Sequence, residues 1–368
     1  MLASSASTEG ILAFRLARSG LAARGAADLA AAAGCPASDF ARDAALLALA
    51  ARFEGLTRDR YNDAVDGGDL VVAHVVRGAI HALAPRDHAL YGRALISRDN
   101  DELGQQLGQQ VQRLAVEKRF APSEALEEVA EATKAALGDA RALSKNELHD
   151  ELRARVRSDF MPWCKGCKNH HVAPMLWRYA GVKAGVRVDS ERRYVLGRPG
   201  RNPSGPEAAR RFLHFYGPAA SAEFADWAGL AKPHAARLWS AIEDDLEELQ
   251  VGKRRAWALR DDVAVLASPP TASGIRLIPP GDPYLQKPNR SLLAPEETLR
   301  KRLFRPVASP GAVLRDGRLA GLWRVKAKGR KAEIAVERLG QIARSDLGEE
   351  AQRIAELRGA QEAVVVVG

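Results

Sequence analysis

The spacing of apolar residues changes character several times along this chain. Leu12 to Ala33 is rich in Ala, Leu and Arg and predicts two short helices broken near Gly25. Asp43 to Arg52, with its ALLALAAR run, predicts a buried helix. Leu70 to Leu83 carries Val71, Val72, Val75, Val76 and Ile80, which favour strand, and Pro85 with Asp87 marks the next turn and helix start. Asn100 to Gly138 is a helical pattern rich in Gln and Glu. Ser144 to Val156 predicts another helix, with Ser144 and Glu147 at capping-box spacing. Met175 to Val182 reads as helix and Arg192 to Leu196 as a short strand.

Arg198 to Pro206 is a linker of Gly, Pro and Arg. Helices are expected at Glu207 to Tyr216, Ser221 to Gly229 and Lys232 to Glu248, then a hairpin of Arg255 to Leu259 with Val263 to Leu266. After a second linker, Ser268 to Gly274, the period shortens. Strands are expected at Arg276 to Ile278, Gly311 to Leu314, Arg318 to Val325, Ala332 to Leu339 and Ala363 to Val367, with a helix at Ser345 to Arg358. Helices followed by a β-ribbon, three times over, is the element order of a winged helix. The expected fold class is α+β: tandem winged-helix units with a C-terminal β-rich domain. The expected divisions are residues 8–98, 99–198, 206–268 and 275–368.

Composition narrows the class. At 368 residues the chain is too long for one small core, and 46% apolar with 27% charged residues suits a globular protein. No apolar run is long enough for a bilayer, and Met1 to Gly10 lacks the basic and apolar regions of a signal peptide. Three cysteines fit a reducing cytoplasm rather than a disulfide framework.

Charge points to a partner. Gly281 to Lys331 holds thirteen Lys and Arg against Asp282, Glu296, Glu297 and Asp316, a local excess equal to the +9 of the whole chain. Tyr284, Phe304 and Trp323 are interleaved with it. Such a concentration suits a polyanion, and double-stranded DNA is the expected partner. The basic ribbon residues Arg324, Lys326, Lys328 and Arg330 are the expected phosphate contacts. Arg77 and His81, four apart on a predicted strand, would share one face and reach a groove, or equally be a surface arginine and a buried, hydrogen-bonded histidine. Pro279-Pro280-Gly281-Asp282-Pro283-Tyr284 is rigid enough to aim Asp282 and Tyr284 into a cleft, but a domain-joining turn with Tyr284 packed and Asp282 capping is the simpler reading. Trp227 and Trp323 read as core. The acids Glu243 to Glu248 point around a helix and read as a solvated face.

Several stretches resemble the winged-helix DNA-binding proteins related to the alkylpurine and crosslink-unhooking DNA glycosylases. They are ARFEGLTRDRYNDAVDGGDLV and HVVRGAIHALAPRDH (Ala51 to His88), RRFLHFYGPAASAEFADWAGL (Arg210 to Leu230), IRLIPPGDPYL (Ile275 to Leu285) and AVLRDGRLAGLWR (Ala312 to Arg324). The resemblance implies a concave DNA-binding surface and N-glycosidic hydrolysis at a damaged purine, and three unequal winged-helix units in one chain suit a monomer. In the glycosylases a Gln-x-Gln or Gln-x-Asp motif precedes the ALLAL-like helix and positions water. Here that stretch is Gly34-Cys35-Pro36-Ala37-Ser38-Asp39, without Gln. Asp39 stands as the group to stabilise a sugar cation and Ser38 as the group to hold water. The simpler reading of the same residues is an ordinary turn and helix cap. The absence of Gln favours a sequence-independent duplex or damaged-DNA binder; the alternative is a monofunctional glycosylase releasing alkylated purines.

Trp163 to His171 is a C-x2-C-x2-H-H cluster. Cys164, Cys167, His170 and His171 are the expected ligands of a structural zinc ion, the one cofactor the sequence suggests. A loop thiol pair and a redox-active CxxC are the other readings.

Overall fold

The β-periodic C-terminal stretch forms a five-stranded sheet in the order Ile275–Ile278, Gly311–Arg315, Arg318–Lys328, Lys331–Arg338, Glu362–Val367. The first four strands pair antiparallel and the last joins in parallel. Asp316 and Gly317, at φ 49° and 78°, close the hairpin between the second and third strands, with Arg315 facing Arg318. Two positive φ values suit a primed two-residue turn, which is why Asp-Gly stands there. A parallel last strand needs a crossover, and the helix Gly348–Leu357 supplies it. Its Ala351, Ile354, Ala355 and Leu357 are buried at helical spacing.

The structure is a computed structural model and describes residues 6–41, 43–138, 140–197 and 204–368, without the side chains of Ala327 and Lys328. The chain divides into two units. One comprises the residues up to 61 with 211–220 and 245–368; the other comprises residues 62–210 and 221–244.

In the first unit the sheet residues Ile278, Leu314 and Leu322 form one buried cluster with Leu16, Leu21, Tyr284 and Leu303. A fully buried Leu or Ile contributes about 1.5–3 kcal/mol, so this cluster is a principal source of stability. The guanidinium of Arg15, 1% exposed, ties chain segments far apart in sequence. It donates to the carbonyls of Gly217, Pro218 and Pro288 and to Asn289 Oδ1, at 2.9–3.1 Å.

In the second unit Ile80–Leu83, Val71–His74, Val186–Val188 and Tyr194–Leu196 are successive antiparallel strands. The helices Asn100–Leu107, Gln109–Lys118, Pro122–Ala136, Lys145–Arg155 and Pro174–Ala184 enclose Leu103, Val129, Leu152, Phe160 and Trp177. Pro122 and Pro174 open their helices, where a missing N–H costs nothing. The capping box read at Ser144 and Glu147 is present in both directions. Helices Ser221–Ala228 and Lys232–Ser240 pack through Phe224, Trp227 and Trp239.

Four expectations need correction. Val263–Ala267 is a helix, and the partner of Arg254–Leu259 is Leu246–Val251. The helix from Lys232 therefore ends at Ser240, because Leu246 and Leu249 face the core as strand residues. The long pattern from Asn100 is three helices, interrupted at Gly108 and before Pro122. The valine-rich stretch is two strands separated by a turn at Val76–Gly78. Of the linker expected at Arg198 to Pro206, residues 198–203 lie outside the described ones and a helix begins at Gly205.

Candidate functional site

The stretch singled out before the ALLAL run is a short strand, Ala37–Ser38, followed by Asp39 and Phe40. Asp39 is buried at 4% exposure, whereas the adjacent Phe40 is 84% exposed. Asp43 precedes the helix Ala44–Ala50 with φ 63°, a left-handed conformation that a non-glycine residue adopts only where its surroundings enforce it. Two arginines hold its carboxylate. Arg58 Nη1 lies 2.9 Å from Asp43 Oδ1 and Arg358 Nη1 lies 3.0 Å from Oδ2. Burial alone would raise the Asp43 pKa, but the hydrogen bonds from Arg58 and Arg358 outweigh it and hold the carboxyl below its usual range. Asp43 was legible in the sequence only as the first residue of a helix.

Ser38 lies against the Pro279 to Asp282 loop. A Cβ on Gly281, whose φ is +83°, would stand 3.4 Å from Ser38 Cβ and 3.5 Å from its Oγ. The next residue, Asp282, is 1% exposed and takes both Nη groups of Arg52 at 2.8 Å. It also accepts from the Tyr284 backbone N–H. Tyr284 is buried too, and its hydroxyl donates to the Leu12 carbonyl. Burial pushes the Tyr284 hydroxyl up in pKa. The turn reading, with Tyr284 packed and Asp282 capping, describes them, and the expectation that they contact DNA is corrected. Their polar atoms are spent inside the protein, and they fix the loop that meets Ser38.

Cys35 completes this region. Its Sγ is 3.5 Å from the Tyr216 hydroxyl, which donates to Pro283. Burial pushes the Cys35 thiol up to about 12, so it is a protonated core residue rather than a nucleophile.

A cavity of about 170 Å³ opens beside these elements. Ala41, Ala44 and Leu47 form one wall, Pro279 and Pro280 a second, Trp323 to Val325 a third, and Arg358 lies at its edge. Trp323 is held as a wall by its Nε1–H, which donates to Ile278 at 2.8 Å. Neither Ser38 nor Asp39 is among the lining residues.

The basic ribbon is partly neutralised. Lys301 pairs with Glu297, Arg302 with Glu337, Arg315 with Asp346, Arg318 with Glu9 and Lys331 with Glu362. Arg324, Lys326 and Arg330 are exposed and have no ion pair among the described residues. Strand alternation places Arg324 and Lys326 on one face. The Lys328 side chain lies outside the described ones.

Arg77 and His81 are separated. Arg77 occupies the turn between two strands at φ 57° and donates to the Trp227 carbonyl at 3.0 Å. His81 is on the following strand, buried, with Nδ1 2.9 Å from the Ala79 carbonyl. Burial pushes its pKa down to about 4. The expectation of one shared groove-facing surface is corrected, because a turn, not a continuous strand, joins the two.

The cysteine segment forms a small hairpin, with Trp163 facing His170 and Cys164 facing Asn169. The ligand atoms of Cys164, Cys167 and His171 lie within 4.8 Å of one another. Hydrogen bonds from the Cys167 backbone and from His171 bring the Cys164 thiol down to about 7. His170 is not in this group: its Nδ1 is 2.9 Å from the Met161 carbonyl and its ring packs on Trp163.

Comparison with known proteins gives a consistent result. A family model described as "DNA glycosylase AlkZ-like" matches residues 17–357. The "Interstrand DNA cross-link repair glycosylase" of Streptomyces sahachiroi is 31% identical over 133 residues, which is 34% of this chain and 36% of that protein. The chain thus matches about a third of the length of that curated relative. The solved structure of Streptomyces sahachiroi DNA glycosylase AlkZ shares this fold. The TM-score is 0.77 at 22% identity, over 99% of this chain and 100% of that one. No helix among the described residues is long and apolar enough to cross a membrane.

Proposed function

Because the chain belongs to the AlkZ-like DNA glycosylase family, we propose that it is a monofunctional glycosylase that hydrolyses the N-glycosidic bond of an alkylated purine in duplex DNA. The family match over residues 17–357 carries this reading and displaces the non-catalytic binder as the preferred one. The chemistry suits a site with few polar groups. A purine alkylated at N7 is already cationic and departs as a neutral base, so no strong general acid is needed. The protein must stabilise the sugar cation that remains and deliver water to C1′. The water's hydroxyl bonds to C1′ and its proton is released.

Asp39 is the residue proposed to face that cation and Ser38 the one proposed to hold the water. This rests on the resemblance, in which their stretch corresponds to the family's Gln-containing motif, with two further residues here before the helix. Asp43 already gives both oxygens to arginines, which suits it to fixing Arg358 at the cavity edge. Exposed Phe40 is proposed as a wedge that enters the base stack when the damaged nucleotide leaves it.

The reading includes double-stranded DNA as partner, with Arg324, Lys326, Lys328 and Arg330 on its phosphates, and a cytoplasmic monomer. It also takes segments 8–98, 99–198 and 206–268 as winged-helix units and 275–368 as the β-rich domain. The order of helices and hairpins along the chain supports that division.

The test is incubation with a duplex containing N7-methylguanine, followed by alkaline cleavage to reveal abasic sites. Wild-type protein is expected to release the base. Asp39→Asn is expected to lose on the order of a hundred-fold in rate with DNA binding intact. No release from any alkylated duplex returns the chain to the binder reading. Release with an equally active Asp39→Asn variant removes Asp39 from the mechanism.

A further inference from the structure

Outside that site, one cluster of chemically active side chains has no part in the proposed reaction. We propose that Cys164, Cys167 and His171 bind one Zn²⁺ ion, with water in the fourth position. The two thiol sulfurs and one imidazole nitrogen already lie within 4.8 Å of one another. Ligand atoms on a tetrahedral zinc, at about 2.3 Å for sulfur and about 2.0 Å for nitrogen, are closer together than that, so the ion draws the three inward by a small movement. Two sulfurs and an imidazole are a donor set suited to zinc rather than to the oxygen-seeking Mg²⁺ or Ca²⁺.

The local fold explains what the ion would do. The hairpin has two residues per strand, Trp163–Cys164 and Asn169–His170, and its turn residues are exposed. A hairpin of this size is not stable by itself in water. Lys168 sits at φ 50°, a conformation that must be maintained from outside the backbone. An ion joining Cys164 before the turn, Cys167 within it and His171 after it maintains that conformation.

The histidines divide their roles by geometry. His171 Nδ1 lies 2.8 Å from the Val172 carbonyl, which leaves Nε2 as the metal donor and sets the tautomer. His170 is turned to Met161 and is no ligand. His149 packs on His171, 5.1 Å between ring centroids, and its Nδ1 is buried without a hydrogen-bond partner among the described residues. A second imidazole thus stands beside the ligand set. The inference is independent of whether the protein cleaves DNA.

The experiment uses the full chain, purified under reducing conditions without chelator. Elemental analysis is expected to find one zinc per chain. Cobalt(II) added to chelator-treated protein is expected to give thiolate-to-metal absorption in the near ultraviolet. Cys164→Ser, Cys167→Ser and His171→Ala are each expected to lose the metal, and His170→Ala to retain it. If the cysteine variants do not fold, cobalt titration of the wild-type protein still decides the matter. Zinc well below one per chain together with no cobalt–thiolate band overturns the proposal. A Cys164–Cys167 disulfide in the reduced preparation overturns it as well and identifies a redox pair instead.

Discussion

Arg52 and Asp282 stand 230 positions apart and meet through two parallel 2.8 Å hydrogen bonds, with both side chains almost wholly buried. Arg52 also donates to the carbonyls of Ser19 and Ala48. This pair fastens the end of the ALLAL helix to the loop that carries Gly281 against Ser38. Asp282→Ala is expected to cost about 3–5 kcal/mol, because it leaves an uncompensated buried cation. Arg52→Met with Asp282→Leu is expected to recover a substantial part of the loss. Urea unfolding of the two singles and the double checks this, and strictly additive losses would show that the residues do not act as a pair.

The basic ribbon gives a prediction about salt. Replacing Arg324, Lys326, Lys328 and Arg330 by Glu is expected to weaken binding to every duplex regardless of sequence. If each releases about one counterion, the slope of log affinity against log salt falls by about 3 to 4. Fluorescence anisotropy at several salt concentrations measures the slope. An unchanged slope means the phosphates are met elsewhere.

Phe40 separates function from folding. As it is 84% exposed, Phe40→Ala is expected to change stability by less than about 0.5 kcal/mol. Base release from a paired duplex is expected to fall several-fold, and less from a lesion opposite an abasic site, where stacking is already lost. Single-turnover kinetics on the two substrates test this. Equal effects on both would remove the wedge role.

Acid should loosen the second unit. Burial pushes the His74, His81 and His88 imidazoles down to about 4. In the unfolded chain they bind protons near pH 6.5, so the unfolded state takes up protons first. Their contribution to stability is present in full above about pH 6.5 and is lost as the pH falls toward 4. Each group adds up to about 1.4 kcal/mol per pH unit to the slope. His81→Gln is expected to reduce that slope by one group's share between pH 6 and 4.5, read from urea midpoints. A slope as steep as wild type would mean His81 does not titrate with folding.

The local elements were readable wherever one physical rule dominated. The Asp316-Gly317 turn, the Ser144 capping box and the strands flanking Trp323 follow from backbone preference and alternation, which need no knowledge of distant residues. The family resemblance was readable for a similar reason, since it rests on contiguous stretches of chain. The charge excess was readable in amount but not in availability. Glu9, Glu337, Asp346 and Glu362, all outside the basic segment, neutralise four of its thirteen cations.

Tertiary structure decided the direction of each functional side chain. Asp282 and Tyr284 could be read as a packed turn or as aimed at a cleft, and Arg52 and Leu12, hundreds of positions earlier, decide for the packed turn. His170 and His171 are equivalent as text, but the hairpin turns one to Met161 and brings the other to the two thiols. Asp43 read as a helix residue until Arg58 and Arg358 closed on it. The physical reason is common to all of these. Local preference acts within a few residues and sets helix, strand and turn. The burial, pairing and ionisation of a side chain depend on partners that only folding brings near.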